Sequence, residues 1–500
     1  MTKKLLDSYT VVADKVPATV KIWSIDKENV PVYEIIMKKF GPGTEALLKY
    51  LTGELASKVP LEIQEITDPE KLENLKKAFF EETRKVIKEK LPNHPDNEIE
   101  LLSGVLLHRM YGLGFVEIML ADNWLEELVI NSSKERISVY HRKYGWCVTS
   151  SSIRSEEEIY NFASQIGRKV GREINSLNPI MDAHLLTGDR VAATLFPIST
   201  MGNTITIRRF ARNPWTPTNL IAANTLSKEI ASFLWQAMQY ELNILVSGGT
   251  ASGKSSMLNS LCSFIPPTQR ILSIEDTREL SLPKQLYWNW VPLTSRNPNP
   301  EGQGEVTMLD LMVAALRMRP DRIVVGEVRR REQAEALFEA MHTGHSVYAT
   351  FHADTVQQVK RRLTEPPIQV PKTEVEALHL ILIQYRDRRK GIRRTLELAE
   401  VLSGGEELEL NYLYRWRPRS DVFEKANDSI RIVEDLNLHT GMTLKEINDD
   451  LKQKQDILQW MLNHKIFDMD QVGAVMRFYY KHADDLVKAV EKNKNPSSVL

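Results

Sequence analysis

Short apolar runs alternate with helical patterns through the second half of the chain. The runs cover residues 244–246, 271–274, 323–325, 347–349 and 380–383. Strands that are apolar on both faces are buried on both faces, as in a parallel sheet that helices cover on each side. The pattern therefore predicts an α/β domain with a doubly wound parallel sheet.

A different pattern precedes this half. Its candidate strands are short, β-rich and separated by turns such as Thr187-Gly188-Asp189, and they cover residues 127–131, 136–141, 190–197 and 204–210. Together with a helical start they predict an α+β domain over residues 98–212. Residues 1–97 form a variable N-terminal region, whose clearest element is a helix that begins at Asp68-Pro69 and ends near Lys90.

Prolines mark the boundary between the two halves. Pro214 and Pro217 lie within four residues, a spacing that suits neither a helix nor a central strand. We therefore predict a hinge linker over residues 213–226 and the parallel-sheet domain over residues 227–405. Residues 406–500 are predicted to form a mainly helical extension, with a short β segment at 412–416 and a capping box at Thr443 and Glu446.

Composition narrows the class of protein. The 500 residues, 42% hydrophobic and 26% charged, are typical of a globular protein of two to four domains. Lys and Arg number 65 and Asp and Glu 66, so no basic excess is available to neutralise a nucleic-acid backbone. Cys147 and Cys262 fit no CxxC pattern, and no apolar run is long enough to cross a bilayer. We expect a cytoplasmic protein that contacts a membrane only peripherally or through a partner.

The most informative motif is a phosphate-binding loop. Residues Gly248-Gly249-Thr250-Ala251-Ser252-Gly253-Lys254-Ser255 match G-x-x-x-x-G-K-[ST] in full, between a predicted strand and a predicted helix. That context argues against an incidental glycine turn. The backbone amides are expected to hold the phosphates of ATP, with Ser256 in the same binding set. Lys254 is expected to reach the β- and γ-phosphates, and the Ser255 hydroxyl to bind Mg²⁺.

Two acidic residues directly follow buried runs. Glu275 follows residues 271–274, and Glu327 follows 323–325 and Gly326. Ligands bind at the carboxyl ends of parallel strands, whereas Asp321 lies at the opposite end, roughly 15 Å away. This places Glu327 as the acid of the Walker B strand, acting on Mg²⁺ through water. Glu279, four residues after Glu275, could reach an attacking water. A lone carboxylate is more often a helix cap, but two in register with a phosphate loop favour catalysis.

Two histidines flank one predicted strand. His345 and His352 bracket residues 346–350, which would separate them by roughly 20 Å, too far to share a metal ion. Zinc is therefore not expected. His352, at the carboxyl end, can sense the γ-phosphate or position water. For His345 a packing role and a functional role remain equally open.

Arginines can supply the cations that phosphoryl transfer needs. Arg190, Arg208 and Arg209 lie in or beside β segments of the α+β region. Consecutive strand residues face opposite sides, so Arg208 and Arg209 cannot both point at one site. Taken singly, each of the three is more often a surface residue.

The combined motifs resemble the secretion-ATPase superfamily, which powers type II secretion, type IV pili, type IV secretion and the archaellum. IEDTREL resembles the family's Asp box, and RMRPDRIVVGEVRRREQAEALFEAMHTGHSVYATFHA resembles its Walker B and His boxes. YGLGFVEIMLADNWLEELVIN resembles the signature of its N-terminal domain, and GDRVAATLFPIS and TITIRRF resemble its arginine-bearing strands. HRKYG and RNPWTPTNLI look most like archaeal members.

The resemblance implies a RecA-like ATPase core with ATP and Mg²⁺ bound between it and the preceding domain. It implies Glu279 as the catalytic base, Glu327 as the Walker B glutamate, and Arg190, Arg208 and Arg209 as candidate arginine fingers. It also implies a homohexameric ring at the inner face of the cytoplasmic membrane, docked on a polytopic platform protein. Two departures are visible: a tetracysteine zinc module is absent, and Thr277-Arg278 stands where the Asp box usually has a proline.

We therefore expect ATP hydrolysis coupled to the assembly or extrusion of a pilus-like filament, without nucleic acid. Three alternatives differ in class. A DNA translocase or helicase on the same core is disfavoured by the formal net charge of −1. A nucleotide switch without turnover is disfavoured by Glu279 and Glu327. A small-molecule kinase is disfavoured because no segment resembles an acceptor pocket.

Overall fold

A computed structural model of the chain describes residues 3–58, 69–185, 188–209, 214–298, 302–404 and 408–499. The chain separates into two compact units, Met1–Arg212 and Asn213–Leu500. Within the described residues each unit is built on one sheet of nine strands.

The first unit has the α+β composition that its sequence predicts. Its strands are β1 (Lys3–Ala13), β2 (Val16–Ile25), β3 (Val32–Met37), β4 (Leu125–Ile130), β5 (Arg136–His141), β6 (Gly145–Ser152), β7 (Ile180–His184), β8 (Arg190–Thr194) and β9 (Thr204–Arg208). Its helices are α1 (Pro42–Lys58), α2 (Pro69–Lys90), α3 (Asp96–Met110), α4 (Val116–Ala121) and α5 (Glu156–Lys169). The strand order is β1-β2-β3-β6-β5-β4-β9-β8-β7, in which β3 and β6 run parallel and the other neighbours antiparallel.

The three N-terminal strands are a difference from the sequence-based expectation. Strands β1–β3 join the sheet formed by β4–β9, so residues 3–37 and the predicted α+β region share one sheet. In β2 the buried residues alternate as Val16, Ala18, Val20 and Ile22, which is the period of a half-buried strand. That alternation is the signal by which β2 could have been predicted. Helix α2 spans Pro69–Lys90 as expected, while its predicted cap, Asp68, lies outside the described residues.

The second unit follows the alternation of strands and helices. Its strands are β10 (Ile244–Gly248), β11 (Ile271–Glu275), β12 (Trp290–Thr294), β13 (Arg322–Val325), β14 (Ser346–Phe351), β15 (Leu380–Asp387), β16 (Ile392–Leu402), β17 (Glu409–Arg417) and β18 (Val422–Lys425). Its helices are α6 (Pro217–Ala222), α7 (Lys228–Gln239), α8 (Lys254–Cys262), α9 (Met308–Ala315), α10 (Arg331–His342), α11 (Val356–Thr364), α12 (Lys372–Val375), α13 (Arg431–Thr440), α14 (Leu444–Asn463) and α15 (Met469–Glu491).

Helices cover both faces of the second sheet. The strand order is β12-β11-β13-β14-β10-β15-β16-β17-β18, parallel from β12 to β15 and antiparallel from β15 to β18. Within β10, Ile244 and Val246 pack in the core that contains α7, α8 and α13–α15, whereas Leu245 packs in the core that contains α9–α12. Adjacent strand residues thus face opposite helical layers, which confirms the doubly wound sheet.

The C-terminal residues contribute more to this sheet than a mainly helical extension would. Strands β17 and β18 extend it, and α13–α15 complete the core on the face of α7 and α8. The capping box at Thr443 and Glu446 is present at the start of α14. Helix α6 lies within the residues assigned to the linker, because Thr216 caps it and Pro217 occupies its first turn. Among the helices in the described ranges, none combines the length and apolar character of a membrane span.

Candidate nucleotide site

The glycine loop joins β10 to α8 in a conformation that requires glycine. Gly248 has φ of 149° and Gly253 has φ of 96°. A Cβ atom on Gly248 would lie 2.2 Å from the carbonyl oxygen of Gln384 in β15. A Cβ atom on Gly249 would lie 2.7 Å from Oδ1 of Asp354. The loop backbone is therefore packed directly against segments on either side of it.

The first turn of α8 carries the polar groups expected to meet phosphate. Lys254, Ser255 and Ser256 are half-buried there. The Lys254 ammonium donates to the carbonyl oxygens of Gly248 and Gly249, at 3.0 Å each, and so lies across the loop. The buried hydroxyl of Ser252 has no hydrogen-bond partner among the described residues. Helix-start amides, an ammonium and an unsatisfied hydroxyl form a cradle for an anion.

The acids lie at the same edge of the sheet, on one side of the loop. Strands β14, β13 and β11 follow β10 in that order. Glu275 is the last residue of β11, and Glu327 follows β13 after Gly326, where a Cβ atom would lie 3.4 Å from the Cα of Glu275. Asp321 lies at the opposite end, and its carboxylate accepts the backbone N–H of Arg270 at 2.6 Å, which is the structural role expected for it.

Glu275 fixes the turn that carries Glu279. Its Oε1 accepts the backbone N–H groups of Glu279 and Leu280, at 2.8 and 3.0 Å. The side chain is buried, and this burial raises the pKa of Glu275 to about 7, although the two backbone N–H donors act in the opposite direction. The guanidinium carbon of Arg278, in the same turn, lies 5.2 Å from the ring centre of Trp290. The turn is thus held by contacts of the Glu275 and Arg278 side chains.

An arginine that the sequence did not single out bridges two of the acids. Arg329 donates to Glu327 at 2.8 Å and lies 3.5 Å from Oδ2 of Asp276. The hydroxyl of Ser295 donates to the other Asp276 oxygen at 3.0 Å. Arg329 stands two residues after Glu327 in GEVRRR, but the sequence does not reveal that it reaches the end of β11.

The histidines bracket β14 as the sequence predicts. His345 precedes the strand, where its Nδ1 lies 3.0 Å from the Thr343 hydroxyl, a packing position. His352 follows the strand on the loop side. The buried Ser247 hydroxyl contacts the backbone N–H and carbonyl of Ala353, at 2.9 and 2.8 Å, which fixes the segment after β14 beside the loop. In the ranges that the structure describes, no cluster of three His, Cys, Asp or Glu side chains is arranged to hold a metal ion.

The candidate arginine fingers belong to the first unit. Arg190 forms a two-point ion pair with Asp182, at 3.0 and 2.5 Å. Arg208 lies directly opposite Arg190 on the neighbouring strand, with Glu127 opposite it on its other side. Arg209 instead donates to the Asp122 carbonyl, so the two consecutive arginines have different surroundings. Their role in catalysis stays a prediction.

The N-terminal strands reach the segment that holds Arg209. The Asp122 carboxylate is buried and accepts the hydroxyls of Tyr9 and Tyr33, at 2.7 Å each. Tyr9 belongs to β1 and Tyr33 to β3, whereas Asp122 lies in the LADNWLEELVIN stretch of the family signature. A buried carboxylate that accepts two hydroxyls is stabilised only while both stay in place. The added strands therefore hold in place the residue whose backbone carbonyl accepts the Arg209 side chain.

The available groups fit ATP and Mg²⁺. Mg²⁺ prefers oxygen ligands and bridges phosphates with few protein contacts. Ser255 offers a hydroxyl at the start of α8, and Glu327 offers a carboxylate at the end of β13. The loop offers backbone amides and Lys254 for the phosphates. Hydroxyl, carboxylate and ammonium thus occupy one edge of one sheet.

Comparisons with known proteins show which proteins this chain is similar to. A family model described as type II/IV secretion system protein matches residues 179–386. An uncharacterized protein of Methanocaldococcus jannaschii is 33% identical over 413 residues, which are 81% of this chain and 74% of that protein. The type IV secretion system protein PtlH of Bordetella pertussis is 31% identical over 286 residues, 53% of this chain and 81% of PtlH. Among solved structures, the Yersinia pseudotuberculosis ATPase DotB is similar over 73% of this chain and 92% of its own, with a TM-score of 0.42 and 19% identity.

The environment of Glu275 predicts a pH-dependent effect on stability. Because burial raises its pKa from 4.5 to about 7, its contribution to stability is fully present below pH 4.5 and is lost as the pH rises through 7. Glu275→Gln keeps an acceptor oxygen but carries no charge. Its free energy of unfolding relative to the unsubstituted protein should therefore rise between pH 5 and 8, by up to about 3 kcal/mol. Urea denaturation across this range measures the difference.

Glu332→Gln is the matched control, because Glu332 is exposed on α10. It should show no such trend. A Glu275→Gln difference that stays constant with pH would contradict the effect of burial.

Proposed function

The chain belongs to the type II/IV secretion system protein family, a family of secretion ATPases, and from that membership we propose that it hydrolyses ATP to drive assembly of a filament or export of protein. The observation that carries the proposal is the shared sheet edge. There the phosphate loop at Gly248–Ser255, the turn at Glu279 and the acid Glu327 each follow a parallel strand of the same sheet.

The residues at this edge of the sheet have different roles in the proposed phosphoryl transfer. Loop amides and Lys254 bind the phosphates and offset their charge. Ser255 and, through water, Glu327 would hold Mg²⁺, which would supply positive charge to offset that of the phosphates. Glu279 accepts the proton of the attacking water as general base. Glu275 keeps the Glu279 backbone in position, and His352 senses the γ-phosphate from the end of β14.

The working assembly is proposed to be a ring. Six copies at the inner face of the cytoplasmic membrane would dock on a polytopic platform protein of a pilus, archaellum or secretion system, without nucleic acid. An arginine from the first unit, Arg190, Arg208 or Arg209, would complete a catalytic site of a neighbouring copy. The family membership and the family resemblance of the arginine-bearing strands support this arrangement.

Removing the charge of either acid should separate ATP binding from hydrolysis. Glu279→Gln and Glu327→Gln preserve side-chain shape but remove the negative charge that activates water or orients Mg²⁺. Each variant is expected to bind ATP with near-normal affinity and to lose about 100-fold or more in rate. Equilibrium binding and phosphate release measure the two properties. Glu332→Gln should leave both unchanged.

Two results would contradict the roles proposed for these acids. Hydrolysis at the normal rate in Glu279→Gln would move the general base elsewhere, with Glu275 the first residue to test. Loss of ATP binding in both variants would mean that these acids build the pocket instead of acting on the reaction.

Mixing inactive chains tests the ring. If Arg208 acts on a neighbour, Arg208→Ala alone should lower the rate by about 1,000-fold. Adding Lys254→Ala chains to Arg208→Ala chains should restore part of the activity, because some sites then combine an intact loop with an intact arginine. Mixing Lys254→Ala with Glu327→Gln is the control and should restore nothing, since both residues belong to the same unit.

The mixed chains also distinguish one arginine from another. The same experiment with Arg190→Ala or Arg209→Ala shows which of the three acts. Absence of rescue with all three, under conditions where light scattering shows a ring, would contradict an arginine acting between chains.

A further inference from the structure

The hairpin formed by β15 and β16 borders the phosphate loop on the side away from the acids. Gln384 in β15 is in register with Gly248, and the carbonyl oxygen of Gln384 occupies the space that a Cβ atom on Gly248 would need. Strand β15 continues beyond that point to Asp387. The hairpin therefore extends past the start of the loop instead of ending level with it.

The hairpin presents arginine to the loop. Residues 386–394 contain six basic residues against the single acid Asp387: Arg386, Arg388, Arg389, Lys390, Arg393 and Arg394. Arg394 is buried and forms a two-point ion pair with Asp421, at 2.7 and 2.8 Å. This ion pair holds the pKa of Asp421 well below its usual range, so the start of β16 is anchored by a charged pair over the whole physiological pH range.

Arg393, the preceding residue, is directed to the loop. Its Nε donates to the carbonyl oxygen of Ala251 at 3.2 Å. A Cβ atom on Gly253 would lie 3.4 Å from its Cδ. That hydrogen bond uses one of the five N–H donors of the guanidinium group. The side chain thus lies along the outer surface of the loop, and one contact does not exhaust its capacity to bind.

Strand order determines which end of a nucleotide would face this arginine. The acid-bearing strands β13 and β11 lie on the β14 side of β10, whereas β15 and β16 lie on its other side. This step rests on the proposed function, in which Glu279 and Glu327 act at the γ-phosphate. With that phosphate toward β13, the nucleoside extends in the opposite direction, toward the hairpin.

We propose that Arg393 is a nucleotide-binding residue that contacts the nucleoside half of ATP or ADP. A planar guanidinium can stack on a purine ring or donate to the ribose, and both interactions are available to an arginine lying along the loop. Loop amides and Lys254 hold the phosphates, and Arg393 gives the site affinity for the attached nucleoside.

The test compares a ligand that has the nucleoside with one that lacks it. Calorimetric titration with ADP and with inorganic pyrophosphate, both in the presence of Mg²⁺, avoids turnover. Arg393→Ala is expected to weaken ADP binding about tenfold and to leave pyrophosphate binding unchanged. Arg389→Ala removes the same charge from the exposed tip of the hairpin and should change neither affinity.

Several results would overturn the proposal. Equal weakening of ADP binding and pyrophosphate binding would mean that Arg393 supports the loop or contacts the phosphates. Unchanged ADP affinity would mean that Arg393 does not contact the nucleotide. If Arg389→Ala weakened ADP binding as much as Arg393→Ala, Arg393 would contribute only through the positive charge of the hairpin. Failure of the unsubstituted protein to bind ADP would instead contradict the proposed function itself.

A second measurement needs no substitution. Hydrogen exchange of the intact protein should show that ADP protects backbone amides of residues 385–394, whereas pyrophosphate protects only the loop and the start of α8. Equal protection of the hairpin by both ligands would contradict a nucleoside contact. Because this experiment uses the unsubstituted chain, it stays decisive even if Arg393→Ala does not fold.

Discussion

The close approach of the phosphate loop to its neighbours is the constraint on which the site depends. Gly248 leaves room for the Gln384 carbonyl on one side, and Gly249 leaves room for Asp354 on the other. A side chain at Gly248 would meet the backbone of β15 and push the loop away from it, whereas one at Gly249 would displace the Asp354 side chain. With the loop in this place, the start of α8 lies at the same edge of the sheet as the acid-bearing turns and the hairpin.

The acids at that edge are held by hydrogen bonds within the fold. Glu275 accepts two backbone N–H groups of the turn that contains Glu279, and Arg329 contacts both Asp276 and Glu327. Prearranged groups cost little reorganisation during a reaction, which is how such sites lower a barrier. Burying Glu275 to hold this turn has a cost, because burial disfavours the charged form of its carboxyl group near neutral pH.

Patterns among neighbouring residues predicted much of this architecture, but they did not predict contacts between residues far apart in the chain. The apolar runs of the second unit became β10, β11, β13, β14 and β15, because strands buried on both faces leave a continuous apolar run. The loop, the Thr443 capping box and the flanking positions of His345 and His352 likewise follow from neighbouring residues. Strand β1 contains exposed and buried residues without strict alternation, so its sequence does not show the two-residue repeat that indicates a strand. Contacts such as Arg393 with Ala251, or Arg329 with Asp276, join residues far apart in the chain and depend on strand order. The sequence alone did not fix that order.

Phosphate release by Lys254→Ala tests the central claim most directly. Lys254 lies across the loop and is the ammonium expected to offset phosphate charge. Lys445, exposed on α14, provides a control in which a lysine is removed far along the chain from the loop. The expected result is a rate at least about 100-fold below normal in Lys254→Ala and a normal rate in Lys445→Ala. A normal rate of phosphate release in Lys254→Ala would contradict the assignment of this loop as the site of ATP hydrolysis.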